Sequence, residues 1–261
     1  MTPATRLSVG IRVFALGAIA VGVVGLVWDD FALVWQPVPA ALPGRAVLAV
    51  AVAIALVLAG LVTQFARTAR AGTMVLAVLY ALDVLALHAP RVVTRLGQFY
   101  AWSGLAEQLS LLCAALLASL CLSGVDLAMR GRTATLLRIV FGACLLVFGA
   151  AHFVYLSDTA SVVPKWLPPG QVFWAALTGV AHMLAGLAII SGVQALLAAR
   201  LLTVMFVAFG VLVHLASIIR APADHMSWTA NAVNLSLIGA AWVVADSLAR
   251  QPRERAVASA V

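Results

Sequence analysis

HFVYLSDTASVVPKWLPPG, His152 to Gly170, separates two long apolar runs. A histidine closes the first run, a polar stretch follows, and Pro164, Pro168 and Pro169 stiffen the chain around Trp166 before VFWAALTGVAH opens the next. Proline fixes φ and has no N–H, so this segment continues neither helix and must cap a helix pair at the boundary between lipid and water. An echo occurs earlier, VWDDFALVWQPVPAALPG from Val27 to Gly44.

Outward from that loop the composition is that of a membrane protein. With 64% hydrophobic and 10% charged residues and a mean hydropathy of +1.11, the chain lacks the polar surface of a water-soluble globule. A lipid-crossing helix needs roughly 20 mainly apolar residues, because its backbone groups must pair within the segment. Eight runs qualify: about 11–28, 46–66, 73–88, 104–125, 136–156, 172–193, 200–219 and 229–247, the third being the shortest. Arg6 and Arg12 precede the first run, which is read as a retained span, since it ends in bulky VWDDF and has a later counterpart.

The net charge of +7 is a matter of topology and gives no reason to invoke nucleic acid. Arg6, Arg12, Arg67, Arg70, Arg130, Arg132, Arg138, Arg200, Arg250, Arg253 and Arg255 fall on one side; Arg45, Arg91, Arg95, Lys165 and Arg220 fall on the other. The positive-inside rule then puts both termini in the cytoplasm, with membrane lipids as partners. Cys113, Cys121 and Cys144 lie within spans and form no CxxC pair, so no disulfide framework is read from them.

The chain reads as two copies. Pro39, Leu42 and Pro43 match Pro164, Leu167 and Pro168 at 125 residues, Ala59-Gly60 matches Ala185-Gly186 at 126, Ala89-Pro90 matches Ala221-Pro222 at 132, and Trp102 matches Trp228 at 126. The expected fold is therefore all-α: eight transmembrane helices as two tandem, parallel-repeat four-helix bundles. Residues 1–125 form the first bundle, 126–135 a cytoplasmic linker, 136–248 the second bundle and 249–261 a cytoplasmic tail.

The second copy resembles the DoxX-like family of small four-span membrane proteins. The resemblance rests on a Gly-rich first span ending in His152-Phe153, on the Pro164-to-Pro168 turn, and on Thr178-Gly179-Val180 followed by Gly186 in the second span. It covers about residues 136–248, with a degraded copy at 11–125. Relatives often carry a glutamate where this chain has His182. The family takes its name from subunits of a thiosulfate to quinone oxidoreductase, so the resemblance implies a bacterial inner-membrane protein of a redox-linked complex, with a redox partner protein.

Ionisable groups inside a membrane are costly and face protein or a cavity. The second copy offers His152, His182, His214, Asn231 and Asn234, and the histidines share helical stripes with small residues that mark close helix contact. They are expected to line a pocket opening outward beneath the Trp166 cap, with Asp224 and His225 at its mouth. Val27, Leu56 and Leu82 stand at the aligned positions of the first copy, which carries Asp83 and Glu107 instead; Asp83 is read as a paired acid, or as reaching a histidine across the interface.

Three readings follow. One is a pocket for a quinone or other small apolar ligand, held by histidine and asparagine; bis-histidine haem and a metal site are disfavoured, since no sequence-local ligand pair exists. Another is a scaffold, including a homo-oligomer, whose buried histidines only fix packing. The third is a transporter, against which stands the lack of a polar path beyond Ser191 and Gln194.

Overall fold

The computed structural model describes residues 7–123 and 127–258, with side chains described for 7–123 and 131–250. Arg6 and Asp126 lie outside the described residues, and Arg130, Arg253 and Arg255 outside the described side chains. Among the described residues, eight helices are long and apolar enough to cross a membrane. They are α1 (Val9–Trp28), α2 (Arg45–Thr63), α3 (Ala69–Thr94), α4 (Phe99–Cys121), α5 (Leu127–Val154), α6 (Gln171–Ser191), α7 (Ala195–Arg220) and α8 (His225–Ala258).

Local chemistry sets several ends. Ser8 caps α1 by accepting from the Ile11 N–H at 3.3 Å. Gly192 ends α6 at φ 79°, a left-handed conformation that glycine adopts without strain. Trp102, Trp174 and Trp228, near the starts of α4, α6 and α8, each donate an indole N–H to the carbonyl six residues earlier, at 3.1, 2.9 and 2.9 Å. The tryptophans at these helix starts thus pin the preceding loops.

Three boundaries differ from expectation. Helix α5 begins at Leu127, inside the expected linker, and α8 runs on through the expected tail to Ala258. The third span extends to Thr94, past Pro90, with a π-helical turn at Val84–His88 just before the proline. A widened turn relieves the clash between a proline ring and the preceding turn. Yet α7 carries the same kind of turn at Gly210–Leu215, where Ala216 stands in place of Pro90, so proline alone does not account for it.

Helix starts recur 126 residues apart: Arg45 and Gln171, Ala69 and Ala195, Phe99 and His225. The packing is not that of two self-contained bundles. Within each half the chain neighbours pack in order, α1–α2–α3–α4 and α5–α6–α7–α8. The first helix of each half then lies along the fourth helix of the other: α1 against α8, the broadest contact in the protein, and α5 against α4. Helix α1 makes almost no contact with α4, and α5 little with α8. The eight helices form one closed ring, with α4 and α8 touching across its middle.

Small residues allow the α1–α8 approach. A Cβ on Gly17 would overlap the backbone of Ser236, and one on Gly239 the backbone of Phe14. Without a hydrophobic driving force in lipid, such close van der Waals packing is what holds helices together.

Candidate functional site

The site is built where α5 ends. His152 packs against α6, whose Gly179 leaves room for it: a Cβ on Gly179 would stand 2.8 Å from the His152 Cβ. His152 Nδ1 lies 3.0 Å from the Ala175 carbonyl oxygen and 3.1 Å from Thr178 Oγ1. A carbonyl only accepts, and the Thr178 hydroxyl donates to the Trp174 carbonyl at 2.8 Å, so Nδ1 carries the hydrogen and donates to both. Nε2 is left as a lone-pair acceptor with no partner among the described residues.

Beside His152 opens a cavity of about 590 Å³ between α6 and α7. Its walls are chiefly apolar, with Leu177, Ala181, Leu201, Val204, Met205 and Phe209 among them. Its polar groups gather at one end: His152, Thr159, Thr178 and His214. Val163, Pro164 and Leu167 of the loop roof that end. His214 sits in the π turn of α7 and forms no hydrogen bond or ion pair with a described residue.

The structure divides the expected ligand set. His152 and His214 line the cavity; His182, Asn231, Asn234 and Trp166 do not. His182 is 2% exposed, its ring centre 5.0 Å from that of His152 and enclosed by Phe148, Phe206 and Phe209. Its Nδ1–H donates to the Thr178 carbonyl of its own helix at 2.8 Å. Asn234 donates to the Phe206 carbonyl at 3.0 Å, tying α8 to α7 where the π turn begins, and a Cβ on Gly210 would crowd that amide. Trp166 is 71% exposed on the loop, whereas Trp174 forms part of the wall. Thr178 and Trp174 were missed as site residues, although Thr178 lies in the stripe that predicted His182.

The cavity therefore does not open outward between helices of the interior, as expected. It opens sideways, toward lipid, through the seam where Leu177, Leu201 and Val204 are exposed. The expected mouth residues are elsewhere. His225 stacks on Trp28, ring centres 4.9 Å apart and planes 6° apart, and Asp224 accepts from the Ser227 backbone N–H and hydroxyl at 2.9 and 2.7 Å. Those two bonds hold the Asp224 carboxyl below the usual carboxylate range.

The first half is arranged differently from expectation too. The counterpart of His214 is His88, not Leu82, because the two π turns coincide at a spacing of 126. The counterpart of His152 is Gly25, not Val27: Gly22 meets Ala53 and Val57 of α2 as Gly149 meets Gly179 and Met183 of α6. Leu56, buried at 3%, stands where His182 does. His88 is 2% exposed and bonds to the Trp35 carbonyl at 3.1 Å. A carbonyl oxygen again fixes the hydrogen, here on Nε2. Asp83 Oδ1 lies 4.0 Å from that nitrogen, on the same helix rather than across an interface, and is otherwise without a partner. Glu107 faces the Trp35 indole. His88 escaped notice in the sequence because the Ala-Pro match drew the register to 132; the 126 spacing shared by the second, third and fourth spans of each half would have exposed it.

Residues 133–215 match the DoxX family, about a third of the chain and wholly within its second half. No curated protein and no solved structure matches the chain. The similarity to DoxX is thus confined to residues 133–215, while the eight apolar helices make the chain an integral, multi-pass membrane protein.

Proposed function

We propose that this DoxX-like membrane protein binds a quinone-class molecule, entered from the lipid through the α6–α7 seam, as the membrane subunit of a redox-linked complex. The observation that carries the reading is His152: with Nδ1–H engaged by Ala175 and Thr178, Nε2 is an oriented acceptor at the one polar end of an otherwise apolar 590 Å³ cavity. Small-molecule sites are of this kind, largely apolar with a few fixed polar groups. A quinol hydroxyl would donate to His152 Nε2, and His214, which has no hydrogen bond to a described residue, would serve the far side of the ring. The other protein of the complex would supply the electron acceptor. The inner membrane of a bacterium with both termini in the cytoplasm is the proposed setting, supported by the arginine bias.

The test is binding of a tail-less hydroquinone to purified protein, read by quenching of tryptophan fluorescence. Losing one hydrogen bond in His152→Leu is expected to weaken binding about tenfold. Equal binding by the variant, or none by the native protein, would falsify the proposal. A scaffold without a ligand is the second reading, favoured by His182 and Asn234, whose hydrogen bonds are spent on holding helices. It predicts that the purified protein carries no quinone and is not stabilised by added quinone.

A further inference from the structure

A second hollow of about 290 Å³ adjoins the α6–α7 cavity along the same seam, with Ala181, Leu201 and Met205 lining both. It runs past Ala185, Ala188 and Ala198 to Gln194, at the turn between the two helices. Together the two hollows follow the seam from the Pro164 loop to the opposite end of the span. The polar groups are confined to the His152 end; along the remainder only Gln194, at the far tip, is polar.

The matching seam of the first half is closed where Gly72 meets α2. Gly72 of α3 stands where Ala198 stands in α7, and it permits contact so close that a Cβ there would overlap Thr63 Oγ1 and lie 2.8 Å from the Ala59 carbonyl oxygen. Ala198 carries that Cβ, and Val62 replaces Ala188 on the other wall. One side has a glycine that draws the helices together, and the other has a methyl that holds them apart beside a wall of alanines.

We infer that the seam binds one amphiphile along its whole length, its hydrogen-bonding head at His152 and His214 and a single long hydrocarbon tail in the alanine-lined hollow down to Gln194. This rests on the binding reading above and adds the class of ligand: long-tailed, not compact. The tail gains from van der Waals contact with the walls, since leaving lipid for protein brings no hydrophobic gain.

Decylubiquinol and its tail-less parent hydroquinone are titrated into the native protein, His152→Leu, Ala188→Leu and Ala198→Leu. The two alanine variants fill the inner hollow from opposite walls. Each is expected to weaken decylubiquinol about tenfold and leave the tail-less compound unchanged, which also reports that the variant is folded. His152→Leu weakens both compounds, so head and tail are read separately. The inference is overturned if the alanine variants bind decylubiquinol as the native protein does, if they lose both compounds equally, or if decanol competes as strongly as decylubiquinol. A native protein that binds neither compound defeats the binding reading itself.

Discussion

The α2–α3 and α6–α7 seams hold equivalent places in the two halves and have opposite contents. The first is shut by Gly72 against Thr63, and its histidine, His88, is buried against Trp35. The second is propped by Ala198, and its histidine, His214, faces a cavity with no hydrogen bond to a described residue. Thus one methyl at the seam, together with the loop residue that reaches the π turn, separates a packed core from a ligand-sized space. Matching helix starts at Arg45 and Gln171 and at Ala69 and Ala195 say nothing about which seam is hollow.

The comparison breaks most severely at the joins between halves. Gly17→Leu would force a side chain into the Ser236 backbone, and a loss of more than ~4 kcal/mol is expected, seen as failure to recover monodisperse protein. At the matching place on the other join stands Cys144, which already fills its site; Cys144→Leu should cost only about 1–3 kcal/mol by thermal unfolding in detergent. Equal losses would mean that the two joins are packed alike.

Next in size, Gly72→Ala adds a Cβ where none fits and should cost about 1–3 kcal/mol, whereas Ala198→Gly should cost about 1 kcal/mol, from helix propensity. Thermal unfolding of the two variants decides it; a harmless Gly72→Ala would show that the first seam can open as the second does.

The histidines sharpen the contrast. His88→Leu leaves the Trp35 carbonyl without its donor and should cost about 1–2 kcal/mol. His214→Leu breaks no hydrogen bond, so its stability should stay within about 0.5 kcal/mol of native while hydroquinone binding falls. The reverse pattern in melting and binding would place the working site in the first half.

What was legible in the sequence follows from the range of each signal. Eight spans can be read because a run of some 20 apolar residues in lipid has one solution, and the small-residue stripes correctly brought His152 and His182 together, 5.0 Å apart. The stripe argument fails at His214, because a π turn shifts everything after it to a new face, and nothing in GVLVHL announces that turn. The apolar run 73–88 stops short of Pro90, whereas the helix continues through a π turn to Thr94. Interlocking was invisible because helix order along the chain is the same whether α1 closes on α4 or on α8. The lateral cavity turns on the difference between glycine and alanine at two matched places, a signal that emerges only when the halves are superposed.

The smallest expected effect concerns the outer loops, where Asp224 has no counterpart at Gln98 that could charge. Its folded pKa is depressed, so its support for the start of α8 is present above the unfolded pKa and is lost as pH falls through the folded one. Melting temperature followed downward in pH should drop slightly more in the native protein than in Asp224→Asn. Parallel curves would mean that the Ser227 bonds contribute nothing to folding.

The α1–α8 contact joins the first of these eight spans to the eighth, which leaves the ribosome after the other seven. When the ribosome has delivered α4 to the bilayer, α1 has gained α2 but not its broadest neighbour, and Gly17 still faces lipid chains. Assembly therefore cannot be completed half by half during translation. The glycine face of α1 must wait, shielded by lipid or by the insertion machinery, until seven further helices have followed it. Release of nascent chains arrested after α7 should yield a protein that is inserted yet still open to protease.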